Sequence, residues 1–287
     1  MQEKSTNSEP YVTRFAPSPS GLLHKGHAYS ALYAYREAQT HGGRFILRIE
    51  DIDTTRCKPE YTEAIYADLA WLGLTWETPV RQQSNHFADY ETALSDLKAE
   101  GLVYPCFCTR KEIQAEIAKA PSAPHGPDGP LYPGTCKHLS RQQQQAQLNA
   151  GDAHTWRLNL DAALKRLSTP LVWLDTLKGP VTATPYDLGD VVLARKDTPT
   201  SYHLAVVLDD ALAGITNIIR GQDLFHATHI HIILQRLLSL PTPHYTHHKL
   251  LMDEEGVRFA KRNKSATLKS LRDQGISAAN LKASLGF

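Results

Sequence analysis

The order of short apolar segments over residues 11–49 constrains the fold of this 287-residue chain more than any other feature. Tyr11 to Phe15 suits a strand, and the two prolines and the glycine of 16–21 exclude a helix there. Lys25 to Gly43 suits a helix that ends at a Gly-Gly pair, and Arg44 to Ile49 suits a buried strand. Strand, helix and strand in this order predict a right-handed crossover in a parallel sheet of the nucleotide-binding kind.

The remaining regions differ in composition. Residues 59–101 place apolar side chains at helical spacing, whereas residues 104–140 contain six prolines and three cysteines and predict a loop-rich insert. Residues 203–210 (HLAVVLDD) suit a strand that ends in two acids, and residues 214–221 suit another strand. Residues 226–241 then suit an apolar helix stopped by proline, so these segments predict a second half of the parallel sheet.

Composition excludes several classes of protein. Hydrophobic and charged residues make up 41% and 21% of the chain, and no apolar run approaches the roughly 18 residues of a membrane span. The polar first residues do not resemble a secretory signal, so we expect a cytoplasmic protein without a membrane partner. No Walker A or Gly-x-Gly-x-x-Gly string is present. The net charge is +1, but residues 258–272 carry six basic and no acidic side chains, as in a solvated helix face or an RNA contact.

Three cysteines cluster in the loop-rich insert, while Cys57 lies far away in sequence and is expected to be a small, partly buried residue. Three thiolates suit a tetrahedral Zn²⁺ site that requires a fourth donor. A metal there would be structural, because it would clamp a segment that lacks a core of its own. The thiolates are Cys106, Cys108 and Cys136, and the spacing allows Tyr132, His125 or His138 as the fourth donor.

Residues 17–27 (PSPSGLLHKGH) bring His24 and His27 to a strand-to-helix junction. The amino end of a helix offers unpaired N–H groups and partial positive charge, which suit the phosphates of ATP. The imidazoles can donate to phosphate oxygens as charge develops, and Gly26 lets ATP lie against the backbone. The pattern therefore indicates an ATP site.

Three strings resemble, in the same order, the glutamyl- and glutaminyl-tRNA synthetase group of class I enzymes. They are RFAPSPSGLLHKGH (14–27), which carries the class "HIGH" signature, RFILRIEDIDTTR (44–56) and YHLAVVLDDALAGITNIIRGQDL (202–224). The resemblance implies an α/β fold: a Rossmann-like class I synthetase catalytic domain with a zinc-containing insert and a short helical C-terminal segment. We expect a disordered tail (1–10), a first catalytic half (11–101), an inserted zinc-containing tRNA-binding domain (102–195), a second catalytic half (196–250) and the Lys261 loop with C-terminal helices (251–287).

The resemblance also implies a pocket for L-glutamate, whose two carboxylates and ammonium need cations and a matching anion. Arg14 and Arg220 can each bind a carboxylate bidentately. Glu50 can accept from the α-ammonium, and Tyr202 can add a hydroxyl contact. The family pattern assigns four more lining residues: Phe15, Ala16, Pro17 and Ser18. Asp209 and Asp210 belong to the same motif as Tyr202 and are expected to cap a helix or to orient Tyr202.

A second class signature, a Lys-Met-Ser-Lys-Ser-like loop, is matched only in part by residues 258–262 (RFAKR). Lys261 keeps its type and is expected to contact ATP and to stabilise the leaving pyrophosphate, whereas Ala260 lacks the family's serine hydroxyl. The expected catalytic residues are therefore His24, His27 and Lys261. The expected ATP-binding residues are these three with Gly26, and Mg²⁺ accompanies ATP.

Chain length indicates a subgroup of the family. Ordinary glutamyl-tRNA synthetases carry a large C-terminal region that reads the anticodon, whereas this chain stops about 25 residues after the Lys261 loop. A catalytic core with a Cys-x-Cys…Tyr-x-x-x-Cys insert resembles members in which Tyr132 would be the fourth zinc ligand. Such members form glutamyl-adenylate without tRNA and pass glutamate to queuosine in the anticodon loop of tRNA(Asp). The alternatives are a compact synthetase that charges tRNA(Glu) and a non-catalytic zinc-containing RNA-binding paralogue. We expect a monomer.

Overall fold

A computed structural model describes residues 10–119, 125–127, 129–167, 170–251 and 266–287. The strands are β1 (Val12–Phe15), β2 (Arg44–Ile49), β3 (Arg81–Gln82), β4 (Val103–Cys106), β5 (His125–Gly126), β6 (Gly129–Pro130), β7 (Thr155–Leu158), β8 (Val172–Asp175), β9 (Gly179–Thr182), β10 (Val192–Ala194), β11 (Asn217–Gly221) and β12 (His244–His248). The α-helices are α1 (Lys25–Thr40), α2 (Pro59–Trp71), α3 (Phe87–Ala99), α4 (Arg110–Lys119), α5 (Arg141–Asn149), α6 (Leu160–Arg166), α7 (Tyr202–Leu212), α8 (Ala227–Leu237), α9 (Leu268–Asp273) and α10 (Ala278–Leu285).

Two sets of parallel strands form the centre of the fold. In the first, β1 pairs with β2 and β2 with β3; in the second, β11 pairs with β12 and β12 with β8. The sets meet where the Thr216 N–H donates to the Val12 carbonyl at 3.1 Å. Their carboxyl ends therefore lie along a common edge, as in a Rossmann-like sheet. The predicted parallel α/β fold is confirmed.

The insert contains a separate antiparallel sheet of β4, β7 and β10. The β8–β9 hairpin lies between β7 and β10 in sequence, yet β8 pairs with β12 of the central sheet. Helix α5 has no buried residue, which agrees with its glutamine-rich sequence. Strand β8 thus connects the 102–195 region directly to the second half of the parallel sheet.

Residues 203–210 form part of helix α7, so the prediction of a strand there is wrong. Leu204, Ala205, Val206 and Val207 are all buried, because α7 packs on more than one side. A helix buried on several sides has a continuous apolar run, which periodicity does not distinguish from a buried strand. The neighbouring predictions of β1, α1, β2, β11 and α8 are confirmed.

The C-terminal helices belong to the same hydrophobic core as α1 and β2. Leu268, Leu271 and Leu281 are buried in it. The Leu268 N–H donates to the Leu23 carbonyl at 2.8 Å, which fixes the start of α9 beside the loop that precedes α1. No helix in the described ranges is both long and apolar enough to cross a membrane. The tail predicted for residues 1–10 falls, apart from Pro10, outside the described residues.

Candidate active site

A cavity of about 390 Å³ lies at the edge where the carboxyl ends of four parallel strands meet. Each strand contributes a residue at or just after its end, namely Phe15, Glu50, Gly221 and His248. Ligands bind outside such strand ends in open α/β sheets. The other lining residues that the sequence motifs assigned to glutamate or ATP are Arg14, Ala16, Pro17, Ser18, His24, Gly26, His27, Tyr202 and Arg220. The motifs therefore converge on one cavity, while the individual roles of these residues stay predictions.

Lys261 lies outside the described residues, but both neighbouring segments border the cavity. Leu250 and Leu251 line it on one side of the gap. On the other side, Thr267 forms a β-bridge with His24. The described residues on both sides of this segment therefore lie at or beside the cavity, and the contact of Lys261 with ATP stays a prediction.

The two histidines cap helix α1 reciprocally. His24 precedes the helix, and its Nδ1 accepts from the Gly26 N–H at 3.1 Å. His27 Nδ1 accepts from the His24 N–H at 3.2 Å, and the two ring centroids lie 3.8 Å apart. Because each Nδ1 is an acceptor, each neutral imidazole carries its proton on Nε2. The local sequence therefore fixes the tautomer of both rings at the cavity.

Asp210 organises the cations behind the cavity. Arg14 donates to both of its carboxylate oxygens, at 3.1 and 3.4 Å, and Arg48 donates to it at 2.6 Å and to Glu50 at 2.9 Å. Burial raises the pKa of Asp210, but the charges of Arg14 and Arg48 outweigh it and leave the pKa below its usual value. Burial raises the pKa of Glu50 despite Arg48. Part of the Arg14 guanidinium is therefore committed to the protein's own carboxylate.

The expectation that Asp209 and Asp210 cap a helix or orient Tyr202 is wrong. Asp210 instead orients Arg14, as described above. Asp209 is fully buried and accepts from Tyr90 and Arg81, at 2.9 and 2.7 Å, and from the Gln83 amide. The pair lies in the last turn of α7, and its side chains contact residues of β1, β2 and α3, whereas an N-cap precedes its helix. These two acids pair with the buried arginines.

Arg220 is the penultimate residue of β11, and hydrogen-bond acceptors surround its guanidinium. Its Nε donates to His247 Nε2 at 3.1 Å, and its Nη atoms donate to the Tyr202 hydroxyl at 3.3 Å and to the Thr228 hydroxyl at 2.6 Å. His231 Nδ1 lies 3.5 Å from the guanidinium. Sequence reasoning found Arg220 and Tyr202 but missed the other three. Their positions were the available signal: Thr228 and His231 are polar residues within the apolar helix α8, and His247 lies near the end of β12.

Sequence reasoning also missed Ser30, Asp223 and His248, which line the cavity. Ser30 Oγ lies 2.9 Å from His248 Nε2 and 3.2 Å from the Gly26 carbonyl. Position could have indicated both residues: His248 is the last residue of β12, and Ser30 lies one helical turn after Gly26. A Cβ atom at Gly221 would lie 2.6 Å from Asp223 Oδ1 and 2.8 Å from Leu250 Cδ2, so both side chains would have to shift to admit one.

The buried histidines make stability dependent on pH. Burial, followed by the charge of Arg220, lowers the pKa of His203 to about 4, that of His247 to about 3 and that of His231 well below 6.5. An unfolded histidine binds a proton near pH 6.5, so stability is fully present above this pH and falls as the pH drops towards the folded-state values. Asp68 acts in the opposite direction, because burial raises its pKa to about 6.

We expect the three histidines to outweigh Asp68 and Glu50, carboxyl groups whose pKa burial raises, between pH 6.5 and 4.5. Each histidine removes at most about 1.4 kcal/mol per pH unit in that window. Urea unfolding at pH 7, 6 and 5 should show a steadily falling free energy, with a shallower slope in His247→Gln. Stability that is constant or rises on acidification would contradict the protonation states assigned to this group.

The cysteine cluster of the insert has the geometry of a metal site. Sγ atoms of Cys106, Cys108 and Cys136 lie within 4.8 Å of one another, and those of Cys108 and Cys136 are 3.4 Å apart. Ligand sulfurs of a tetrahedral zinc lie about 3.8 Å apart at normal Zn–S distances. The Tyr132 hydroxyl lies 3.3 Å from the Cys106 sulfur and 3.7 Å from that of Cys108. The cluster could therefore hold a metal such as zinc.

Of the three candidates for the fourth donor, the side chains of Tyr132 and His138 are described and can be compared. His138 is not among the groups close to the three sulfurs there, and the side chain of His125 is not described. The Tyr132 hydroxyl also accepts from the Cys136 N–H at 2.9 Å, and the Arg157 guanidinium stacks 3.9 Å from its ring centroid. A nearby cation suits an anionic cluster. The contacts favour Tyr132 over His138.

Comparison with known proteins identifies the family of this chain. Residues 11–285 match the family of tRNA synthetases class I (E and Q), catalytic domain. The chain is 45% identical to a glutamyl-Q tRNA(Asp) synthetase of Rhodobacter capsulatus, over 96% of this chain and 100% of the relative. It is 41% identical to the protein of the same name from Symbiobacterium thermophilum, over 96% of this chain and 85% of the relative.

Longer relatives match over part of their length. A glutamate–tRNA ligase of Synechococcus is 37% identical, over 94% of this chain and 55% of the relative. Among solved structures, a glutamate tRNA ligase from Elizabethkingia meningosepticum in complex with its amino acid has a TM-score of 0.75 and 27% identity. It is matched over 89% of this chain, which spans about half of that structure (52%). The chain belongs to the class I synthetase family for glutamate and glutamine.

Proposed function

We propose that this chain activates L-glutamate with ATP, without needing tRNA, and transfers the glutamyl group to the queuosine base in the anticodon loop of tRNA(Asp). The observation that carries the proposal is the convergence of the glutamate motif and the histidine motif on one cavity of about 390 Å³. Near full-length likeness to proteins named glutamyl-Q tRNA(Asp) synthetase supports the choice of acceptor. A tRNA substrate would place this activity in the cytoplasm.

Glutamate would bind at the arginine end of the cavity. Arg220 and Arg14 supply the positive charge for the carboxylates, and Glu50 accepts from the α-ammonium. Tyr202, already hydrogen-bonded to Arg220, adds a hydroxyl contact. Residues Phe15 to Ser18 form the adjoining wall. The set is matched in charge to glutamate at neutral pH.

ATP would bind against the start of α1, where His24 and His27 present Nε2–H groups and Gly26 allows close approach. The glutamate carboxylate attacks the α-phosphorus, an O–P bond forms, and the bond to the pyrophosphate oxygen breaks. His24, His27 and Lys261 stabilise the negative charge on the phosphate oxygens. Mg²⁺ that accompanies ATP supplies further charge neutralisation.

The adenylate is a mixed anhydride, which a hydroxyl of the queuosine cyclopentene diol can attack at its carbonyl carbon. An ester C–O bond forms, the bond to the phosphate oxygen breaks, and AMP leaves. We assign uptake of the hydroxyl proton to the departing phosphate of AMP. The base must leave its stacked position in the RNA loop to reach the cavity.

We assign one structural Zn²⁺ to Cys106, Cys108, Tyr132 and Cys136. Thiolate and phenolate donors suit this ion, and the distances between these donors support four-coordination. The metal would stabilise the fold of the insert and takes no part in activation. The insert and the basic residues 258–272 are our candidates for contact with the RNA backbone.

A compact synthetase that charges tRNA(Glu) is the second candidate, because the chain is similar to a glutamate–tRNA ligase of Synechococcus as well, at 37% identity. It shares the whole activation site and differs in the acceptor. The third candidate, a non-catalytic RNA-binding paralogue, is favoured only by the partial match of residues 258–262 to the family loop.

Glutamate-dependent exchange of labelled pyrophosphate into ATP tests the proposed activation. We expect exchange with L-glutamate in the absence of tRNA, and much less with glutamine or aspartate. Exchange that needs added tRNA would contradict tRNA-independent activation. Absence of exchange under both conditions would support the RNA-binding paralogue.

A further inference from the structure

A buried carboxylate lies behind Arg220 without touching it. Asp175, at the end of β8, is fully buried, and its Oδ2 lies 2.7 Å from Nδ1 of His247 on the neighbouring strand β12. Nε2 of the same ring accepts from Arg220 Nε at 3.1 Å. The three side chains therefore form a continuous carboxylate–imidazole–guanidinium chain that ends at the cavity.

The chain of contacts requires one tautomer of His247. Arg220 has only donors, so the Nε2 atom that faces it must carry a lone pair. The proton of the neutral ring must then lie on Nδ1, where the Asp175 carboxylate accepts it. The carboxylate also accepts from the His247 N–H at 3.3 Å, which holds ring and strand in one register.

The result is a fixed plane for the Arg220 guanidinium. With Nε directed at His247, the Nη atoms reach Tyr202, Thr228 and the Leu224 carbonyl. Arg220 is only 5% exposed, so a lost acceptor for Nε would leave a buried charged donor unpaired. Rotation to find another partner would also turn the Nη atoms away from the cavity.

We propose that Asp175 is a positioning residue for glutamate binding, which acts through the tautomer of His247 to fix the guanidinium plane of Arg220. The inference rests on the proposed role of Arg220 in the glutamate site. It gives a function to a residue of the 102–195 region, outside the motifs that identify the family. Asp175 has a structural contact as well, since its other oxygen accepts from the backbone N–H groups of Leu177 and Lys178.

The substitutions are chosen to distinguish a role of Asp175 in orienting Arg220 from a role in holding the local fold. Asp175→Asn can keep the turn contacts through its oxygen, but its amide donates to His247 Nδ1 and forces the proton onto Nε2, against Arg220. His247→Asn keeps a donor towards Asp175 but loses the acceptor for Arg220. His247→Gln keeps an acceptor near the position of Nε2. Thr176→Val is the matched control, because it removes a 2.6 Å hydrogen bond between Thr176 and Thr246 across the same strands without touching Arg220.

Pyrophosphate exchange with separate titration of glutamate and ATP is the measurement. We expect KM for glutamate to rise about 10- to 100-fold in Asp175→Asn and His247→Asn, the effect of an unpaired buried donor, with KM for ATP within about twofold. His247→Gln and Thr176→Val should stay within about threefold for glutamate. In the His247→Gln background, Asp175→Asn should add less than about twofold, because the ring through which it acts is gone.

An unchanged KM for glutamate in Asp175→Asn, with exchange by the unsubstituted protein intact, would overturn the positioning role alone. Equal rises in both KM values, or equal effects of His247→Gln and His247→Asn, would assign Asp175 to strand packing and overturn it too. Absence of glutamate-dependent exchange in the unsubstituted protein would instead overturn the proposed function on which the role rests.

Discussion

Replacement of Arg220 with alanine is expected to lower kcat/KM for glutamate in pyrophosphate exchange by about 10²- to 10³-fold, as for removal of one partner of a buried charge pair. The guanidinium lines the cavity and donates to the Tyr202 hydroxyl, and Arg14 already shares its charge with Asp210. A substrate carboxylate would then meet no comparable partner. KM for ATP should change much less, because the histidine end of the cavity is untouched.

The matched control is Arg44→Gln. Arg44 pairs with Glu77 at the surface, where its side chain is 54% exposed, and it does not line the cavity. Its removal should leave exchange within about twofold, as expected of a surface ion pair. Circular dichroism and thermal unfolding of both variants would show whether the Arg220 variant stays folded. Normal glutamate-dependent exchange by a folded Arg220→Ala protein would show that the carboxylate assignment is wrong.

Replacement of Cys136 with serine is expected to abolish zinc binding and to unfold the insert around β4. Cys136 is 5% exposed and its sulfur also accepts from the Phe107 N–H, so it links the two sides of the cluster. Structural zinc contributes about 10–16 kcal/mol to the folding of small zinc domains, and serine is a poor replacement for a thiolate ligand. Metal analysis should show about one zinc per chain before the substitution and almost none after it.

Cys57→Ser provides the control, because Cys57 is the cysteine outside the cluster. It should keep its zinc and its melting temperature. Tyr132→Phe and His138→Ala identify the fourth ligand: zinc affinity should fall in the tyrosine variant and stay unchanged in the histidine variant. Full zinc content in Cys136→Ser would contradict a metal site formed by these three cysteines.

Local sequence predicts most of the site because its residues lie within motifs. Arg14 and Phe15 end β1, Ala16 to Ser18 follow it, and Glu50 follows β2. The next loop leads to His24 and His27 at the start of α1, so strand ends and this helix start bring them to one edge. The tyrosine and arginine of the third motif reach the same edge from α7 and β11. In this part of the protein, the position of a residue within its motif therefore predicts its position at the cavity.

Several site contacts that the sequence did not predict join segments that lie far apart in the chain. Asp175 and His247 are 72 positions apart, and only the pairing of β8 with β12 joins them. Asp210 reaches Arg14 across 196 positions, and this pairing replaced the local capping role expected for it. The sequence predicts a strand where helix α7 forms, because burial on several sides removes the helical periodicity of its apolar residues. Lys261 lies outside the described residues, so its role still rests on the sequence.

The measurement that tests the central claim most directly is transfer of labelled glutamate to two purified tRNAs, tRNA(Asp) that contains queuosine and tRNA(Glu), each with intact or periodate-oxidised 3′ ends. Because periodate also attacks the queuosine diol, the 3′-blocked tRNA(Asp) is best prepared by oxidation before queuosine is introduced. We expect label on tRNA(Asp) that requires queuosine and persists when the 3′ ribose is blocked. Label on tRNA(Glu) that disappears with the blocked 3′ end would contradict base modification and identify a compact aminoacylating synthetase.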